Sequence, residues 1–131
     1  MSTRSNIGLM YPDCSIRYIY CHYDGYIDGV GKTLVKYYSQ ASMIDALLDL
    51  GNLSSLGPDI GLKNDFNNRD DRFCVFYGRD RGDSDQQAHT CSGEVDFLDC
   101  DHVDYHYLFD DGKWRCFKYG EEIDLYEELE R

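Results

Sequence analysis

Residues 103–119 read VDYHYLFDDGKWRCFKY, and this stretch decides the fold class. Apolar and polar side chains alternate on either side of Asp111-Gly112, the pair that favours a two-residue type I′ turn. Such a sequence predicts a β-hairpin with strands over 103–109 and 113–118. With that register Val103, Tyr105, Tyr107, Phe109, Trp114 and Cys116 share one face, which must be core. Asp104, His106, Leu108, Arg115 and Phe117 share the other.

The same pattern recurs near the start of the chain. Asn6–Tyr11 and Ser15–His22 flank Tyr-Pro-Asp-Cys, a turn with proline at its second position. Phe73–Tyr77 is a short apolar strand, FCVFY. Between them, Val30, Leu34 and Tyr38 place one apolar stripe on a helix over about 31–38. Met43, Ile44, Leu47, Leu48 and Leu50 do the same for a helix over 41–50, with Ser39 as its N-cap and Gly51 just past its end. Residues 52–72 and 78–90 read as loops, and 93–99 as one short helix. We therefore expect a single α+β domain over residues 1–131: an antiparallel sheet of about five strands with a helix pair packed on one face.

The 131 residues carry a net charge of −12, unevenly spread. Residues 1–65 hold 5 basic and 7 acidic side chains, and residues 66–131 hold 8 and 18. Nine Asp or Glu and no base lie between Asp83 and Asp111, and six more, again with no base, between Glu121 and Glu130. A surface of that sign repels phosphate backbones, so direct binding of nucleic acid is not expected. It attracts basic proteins. The candidate partner-binding face comprises Glu94, Asp96, Asp99, Asp101, Asp104, Glu121, Glu122 and Asp124; a solvated face that aids solubility is the plainer alternative.

The start of the chain, MSTRSNIGLMYPD, lacks the apolar core of a signal peptide, and no run is long enough for a membrane span. We expect a protein of a reducing cytoplasm, with its 6 Cys unbridged. Cysteines 21, 74 and 116 lie in apolar strand-like runs, where a thiol behaves as a small hydrophobe.

Two motifs invite chemistry. Gly29-Val30-Gly31-Lys32-Thr33 opens a helix after a strand, but a P-loop needs glycine where Tyr26 stands. A parallel strand–helix–strand unit beginning at residue 16 would favour the P-loop all the same. Short of that, Gly29, Gly31, Lys32 and Thr33 with Arg79 and Arg81 could form an anion pocket for a nucleotide. His89, Cys91, Cys100, His102 and His106 suggest zinc, but they lack a close CxxC pair. In a strand, His102 and His106 would lie about 13 Å apart. No Ca²⁺-loop spacing, nucleophile elbow or Cys–His context is present. We expect no cofactor, no metal and no catalytic residue, although an Asp-based, metal-dependent hydrolase is a further alternative.

Three stretches, IYCHYDGYIDGVGKTL at 19–34, ALLDLGNLSSLGPDIG at 46–61 and FYGRDRG at 76–82, resemble a group of small acidic proteins encoded by tailed bacteriophages. The resemblance implies expression in a bacterial host cytoplasm and supplies no catalytic residues. Together with the charge, it leads us to expect an anti-CRISPR-like inhibitor, a DNA mimic whose partner is a host defence protein with a basic groove. The alternative is a protein that sequesters a nucleotide signal.

Overall fold

The computed structural model describes residues 2–99 and 103–130. The two predicted hairpins form. Strand β1 (Ser5–Met10) pairs antiparallel with β2 (Ile16–Cys21), and β6 (Tyr105–Asp110) pairs antiparallel with β7 (Lys113–Lys118). Asp111 and Gly112 take φ of 52° and 78°, as a type I′ turn requires.

How the hairpins join overturns the expected architecture. β1 lies parallel to β6, with Ile7 opposite Tyr107 and Leu9 opposite Phe109. Short strands extend the sheet outward. These are β3 (Leu53–Ser55), β4 (Val75–Phe76), β5 (His89–Cys91) and β8 (Glu121–Ile123). The result is a mixed, open sheet of 8 strands in the order β4-β3-β2-β1-β6-β7-β8, with β5 on the same edge of β2 as β3. It is neither five-stranded nor wholly antiparallel. The reason is physical: both hairpins bury the alternate side chains of one face, and lying β1 beside β6 merges those two apolar faces into a single core.

One face of the sheet is covered by α1 (Lys32–Tyr37), α2 (Ala41–Asp49) and α5 (Leu125–Leu129). Val30, Leu34 and Tyr38 are buried as their spacing predicts, and so are Ile44, Leu47 and Leu48 of α2. They pack with Ile7, Leu9, Ile19, Tyr107, Phe109, Trp114 and Cys116 in one cluster. The N-cap of α2 is Gln40, not Ser39, and its side chain makes no capping bond. Gly51 takes φ 87°, and a Cβ there would lie 2.2 Å from the Gln86 carbonyl oxygen.

The opposite face carries a second, smaller core that the expected architecture lacks. Helix α4 (Glu94–Asp99) sets Phe97 against Ile16, Tyr18, Leu108 and Phe117. So helices lie on both faces. The fifth helix, α3 (Tyr77–Arg81), follows directly on β4 and ends at Gly82 with φ 83°. Among the described residues no helix is long and apolar enough to cross a membrane.

Candidate functional site

The Gly29–Thr33 string follows β2 and leads through α1 and α2 to β3, which is parallel to β2. A parallel unit beginning at residue 16 therefore exists, as a P-loop would require. The loop itself is closed. Residues 27–31 form a turn of π-helix whose amides point back into the chain. Gly29 N–H donates to Tyr26 O at 3.0 Å, Val30 to Asp24 O at 2.8 Å, and Gly31 to Tyr26 O at 3.5 Å. The Lys32 amide donates to Gly29 and Ile27, and the Thr33 hydroxyl to Gly29 O at 3.0 Å. An anion cradle needs several such groups free and convergent. Here none of these five is.

Close packing explains the two glycines. A Cβ on Gly29 would lie 2.2 Å from Asp24 O, and one on Gly31 would lie 3.1 Å from both Leu125 Cδ1 and Tyr107 Cε1. Tyr107 in turn donates its hydroxyl to Gly25 O at 2.7 Å, drawing the loop onto the sheet. Lys32 stays on the surface.

Arg79, the second half of the supposed pocket, is wholly engaged elsewhere. Nε and Nη2 donate to the Asp80 carboxylate at 3.0 and 3.1 Å, Nη1 donates to the carbonyls of Ile60 and Gly61, and Nη2 also donates to that of Cys74. Asp80, whose side chain is 0% exposed, accepts further bonds from the amides of Asn64 and Phe76, both at 2.8 Å. Burial alone would raise the Asp80 pKa. The bonds from Arg79 and the two amides outweigh that and hold it below the ordinary carboxylate value. This pair is a latch that fixes the 57–74 loop to β4 and α3. Arg81 pairs with Asp83 and lies against the rings of Phe66 and Tyr77.

The acidic residues divide by their surroundings. Arg115, on β7, gathers three carboxylates from three other elements: Glu94 of α4 at 2.7 Å, Asp110 of β6 at 3.1 Å and Glu122 of β8 at 2.9 Å. Those bonds, Glu122 first and Glu94 next, push the guanidinium pKa up, and Glu122 is held below its usual value in return. Asp96 accepts from the Ser92 hydroxyl, and Asp124 caps α5 through the Glu127 amide at 3.2 Å. Asp104 accepts from the Arg4 amide and the Tyr119 hydroxyl. Asp96, Asp99, Glu121, Glu122 and Asp124 are exposed, Glu94 and Asp104 are half-buried, and Asp101 lies outside the described residues. The sequence marks the charge but misses Arg115 and Asp110 as the groups that organise it.

Among the described residues no three His, Cys, Asp or Glu side chains are placed to share a metal ion; Cys100 and His102 lie outside them. His89 stands beside Tyr18, with ring centroids 5.4 Å apart, while His106 meets Phe97 edge-on at 5.1 Å. The described cysteines are free thiols. Burial pushes the Cys21 and Cys116 thiols up to about 12, so neither is a ready nucleophile. Compared with known proteins, the chain matches no family model, no curated protein and no solved structure.

Proposed function

We propose that this chain is a non-enzymatic phage accessory protein that inhibits a host nucleic-acid-targeting defence factor by offering an acidic surface to its basic groove. One observation carries the proposal. The two base-free acidic runs, separate in sequence, meet at Arg115, where Glu94 comes from one and Glu122 from the other. A single guanidinium among three carboxylates leaves a surplus of negative charge at that junction. Asp96 and Asp99 continue it along α4, and Glu121 along β8. A groove shaped for phosphates is attracted to such a surface, and the attraction is screened by salt.

The test uses Asp96→Asn, Asp99→Asn and Glu121→Gln together, which remove charge and leave shape almost unchanged. Binding to a defence nuclease captured from the host is measured by surface plasmon resonance at low and high salt. Association slows at least tenfold in the variant, and the wild-type rate falls steeply as salt rises. Equal association of the two proteins at every salt concentration would sink the proposal.

A further inference from the structure

The described chain contains seven arginines, and five are ion-paired: Arg17, Arg72, Arg79, Arg81 and Arg115. In a protein with 25 carboxylates and a net charge of −12, pairing is the ordinary fate of a guanidinium. The two exceptions, Arg4 and Arg69, have no carboxylate within salt-bridge distance among the described residues. They act on the same spot. After partial burial, the charges of Arg4 and Arg69 are what hold the His22 imidazole below its ordinary pKa. Two guanidinium groups without a carboxylate partner among the described residues therefore lie on the His22 side of an acidic protein: Arg4 precedes Ser5, which pairs with Cys21, and Arg69 reaches the Tyr23 ring.

Aromatic rings stand beside Arg69 and His22. The Arg69 guanidinium carbon lies 4.5 Å from the Phe66 ring centroid and 5.5 Å from that of Tyr23. Tyr23 meets the His22 ring edge-on at 4.6 Å and remains 41% exposed, so much of its ring is open to a stacking partner. Both His22 nitrogens are engaged, Nδ1 with the Tyr20 hydroxyl at 2.7 Å and Nε2 with the Ser2 hydroxyl at 3.3 Å. Arg69 is held as firmly: Nε donates to Phe66 O at 3.0 Å and Nη1 to Ser55 Oγ at 3.5 Å, leaving Nη2 without a partner among the described residues. Its loop is stapled by buried Asn64, which bonds to both the N–H and the C=O of Asp70 and to the carbonyl of Phe73. Ordered cations beside an exposed ring bind with little loss of side-chain freedom.

We propose that the surface formed by Arg4, His22, Tyr23, Phe66 and Arg69 binds a nucleotide, its phosphate taken by the two guanidinium groups and its base laid against Tyr23. A guanidinium matches phosphate oxygens in geometry as well as charge. A base has a π-face for the ring, which inorganic phosphate lacks. A small ligand feels the local field, whereas a long polyanion meets the repulsion of the whole chain. This site is separate from both the Gly29–Thr33 loop and the Arg115 surface.

The test titrates ATP, AMP and pyrophosphate into the full chain by calorimetry, while NMR follows the His22 ring, assigned by its loss in His22→Asn. ATP binds saturably, and a phosphate near His22 raises its titration midpoint. Arg4→Ala, whose exposed side chain has no hydrogen-bond or ion-pair partner among the described residues, weakens ATP about fivefold or more by removing a charge-assisted contact. Arg69→Ala weakens it about tenfold or more, with Arg69→Lys between the two. Tyr23→Ala weakens ATP and AMP but not pyrophosphate. The Asp96/Asp99/Glu121 variant binds ATP as the wild type does, so this site and the acidic surface stand or fall separately. Absence of saturable ATP binding at millimolar concentration overturns the site, as does ATP binding unchanged in both arginine variants. Pyrophosphate binding as tight as ATP, with Tyr23→Ala without effect, overturns the nucleotide assignment.

Discussion

Arg79 and Arg115 are both arginines among carboxylates, and they do opposite things. Arg79 is 14% exposed, and all its donors face inward to three carbonyls and a fully covered Asp80. Arg115 is 26% exposed, and its three partners are surface carboxylates with side chains 32–49% exposed. Removing a buried partner strands the charge it leaves behind, whereas an exposed pair is replaced by water. The first arginine is therefore part of the fold, and the second arranges charge on an already folded surface.

That contrast is easiest to break at Arg79. Arg79→Ala leaves the Asp80 charge buried with two amide donors and no cation, and we expect a loss of about 3–5 kcal/mol in urea denaturation. A loss below about 1 kcal/mol, the scale of a surface pair, would erase the distinction. Acid sharpens the same point. The Asp80 pKa is depressed in the folded state, so its contribution is present above the unfolded carboxylate value and is lost as pH falls through the folded one. Stability should thus decline below about pH 4, less steeply in Asp80→Asn than in the wild type.

Smaller effects follow at the glycine loop and at Arg115. Gly29→Ala forces a Cβ onto the Asp24 carbonyl and should cost about 1–3 kcal/mol, read as a lowered Tm. Arg115→Ala should cost about 1 kcal/mol or less. Its signature is local instead, with faster amide exchange across α4 than across β6, because Glu94 loses its tie to the sheet. Lys32→Ala should change stability by less than about 0.5 kcal/mol. A Tm drop in Lys32→Ala as large as that of Gly29→Ala would return attention to the loop as a charged site.

The hairpins and both helical stripes were legible in the sequence because each rests on local spacing. Parallel pairing was not. Nothing in SNIGLM announces that its outer edge meets YHYLFD, since that contact is set by which faces must merge. Strands β3 and β5 have three residues each, too few for a period to show, whereas β4 lies inside the FCVFY run that reads as a strand and is shorter than that run. The β8 strand was hidden in an acidic run read only as charge. At the site, the sign of the surface could be read from composition, but not which charges were already committed. Arg115 reaches partners 5, 7 and 21 residues away, and Arg79 carbonyls 18 and 19 away. For the same reason the sequence does not distinguish Arg69 from Arg72, Arg79 and Arg81, although among the described residues it alone of the four has no carboxylate within salt-bridge distance.

The parallel contact between β1 and β6 also constrains the order of biosynthesis. The Arg4 amide waits for the Asp104 carboxylate, 100 residues later in the chain, and the first strand has no partner on that edge until β6 has been made. At roughly 5–20 residues per second, that delay is about 5–20 s. During it the β1–β2 hairpin and its helices form an incomplete layer whose open edge is Ser5–Met10, with the apolar residues Ile7 and Leu9 not yet covered by Tyr107 and Phe109. The nascent chain is thus at its most vulnerable to misassociation at the strand that ends up in the middle of the sheet.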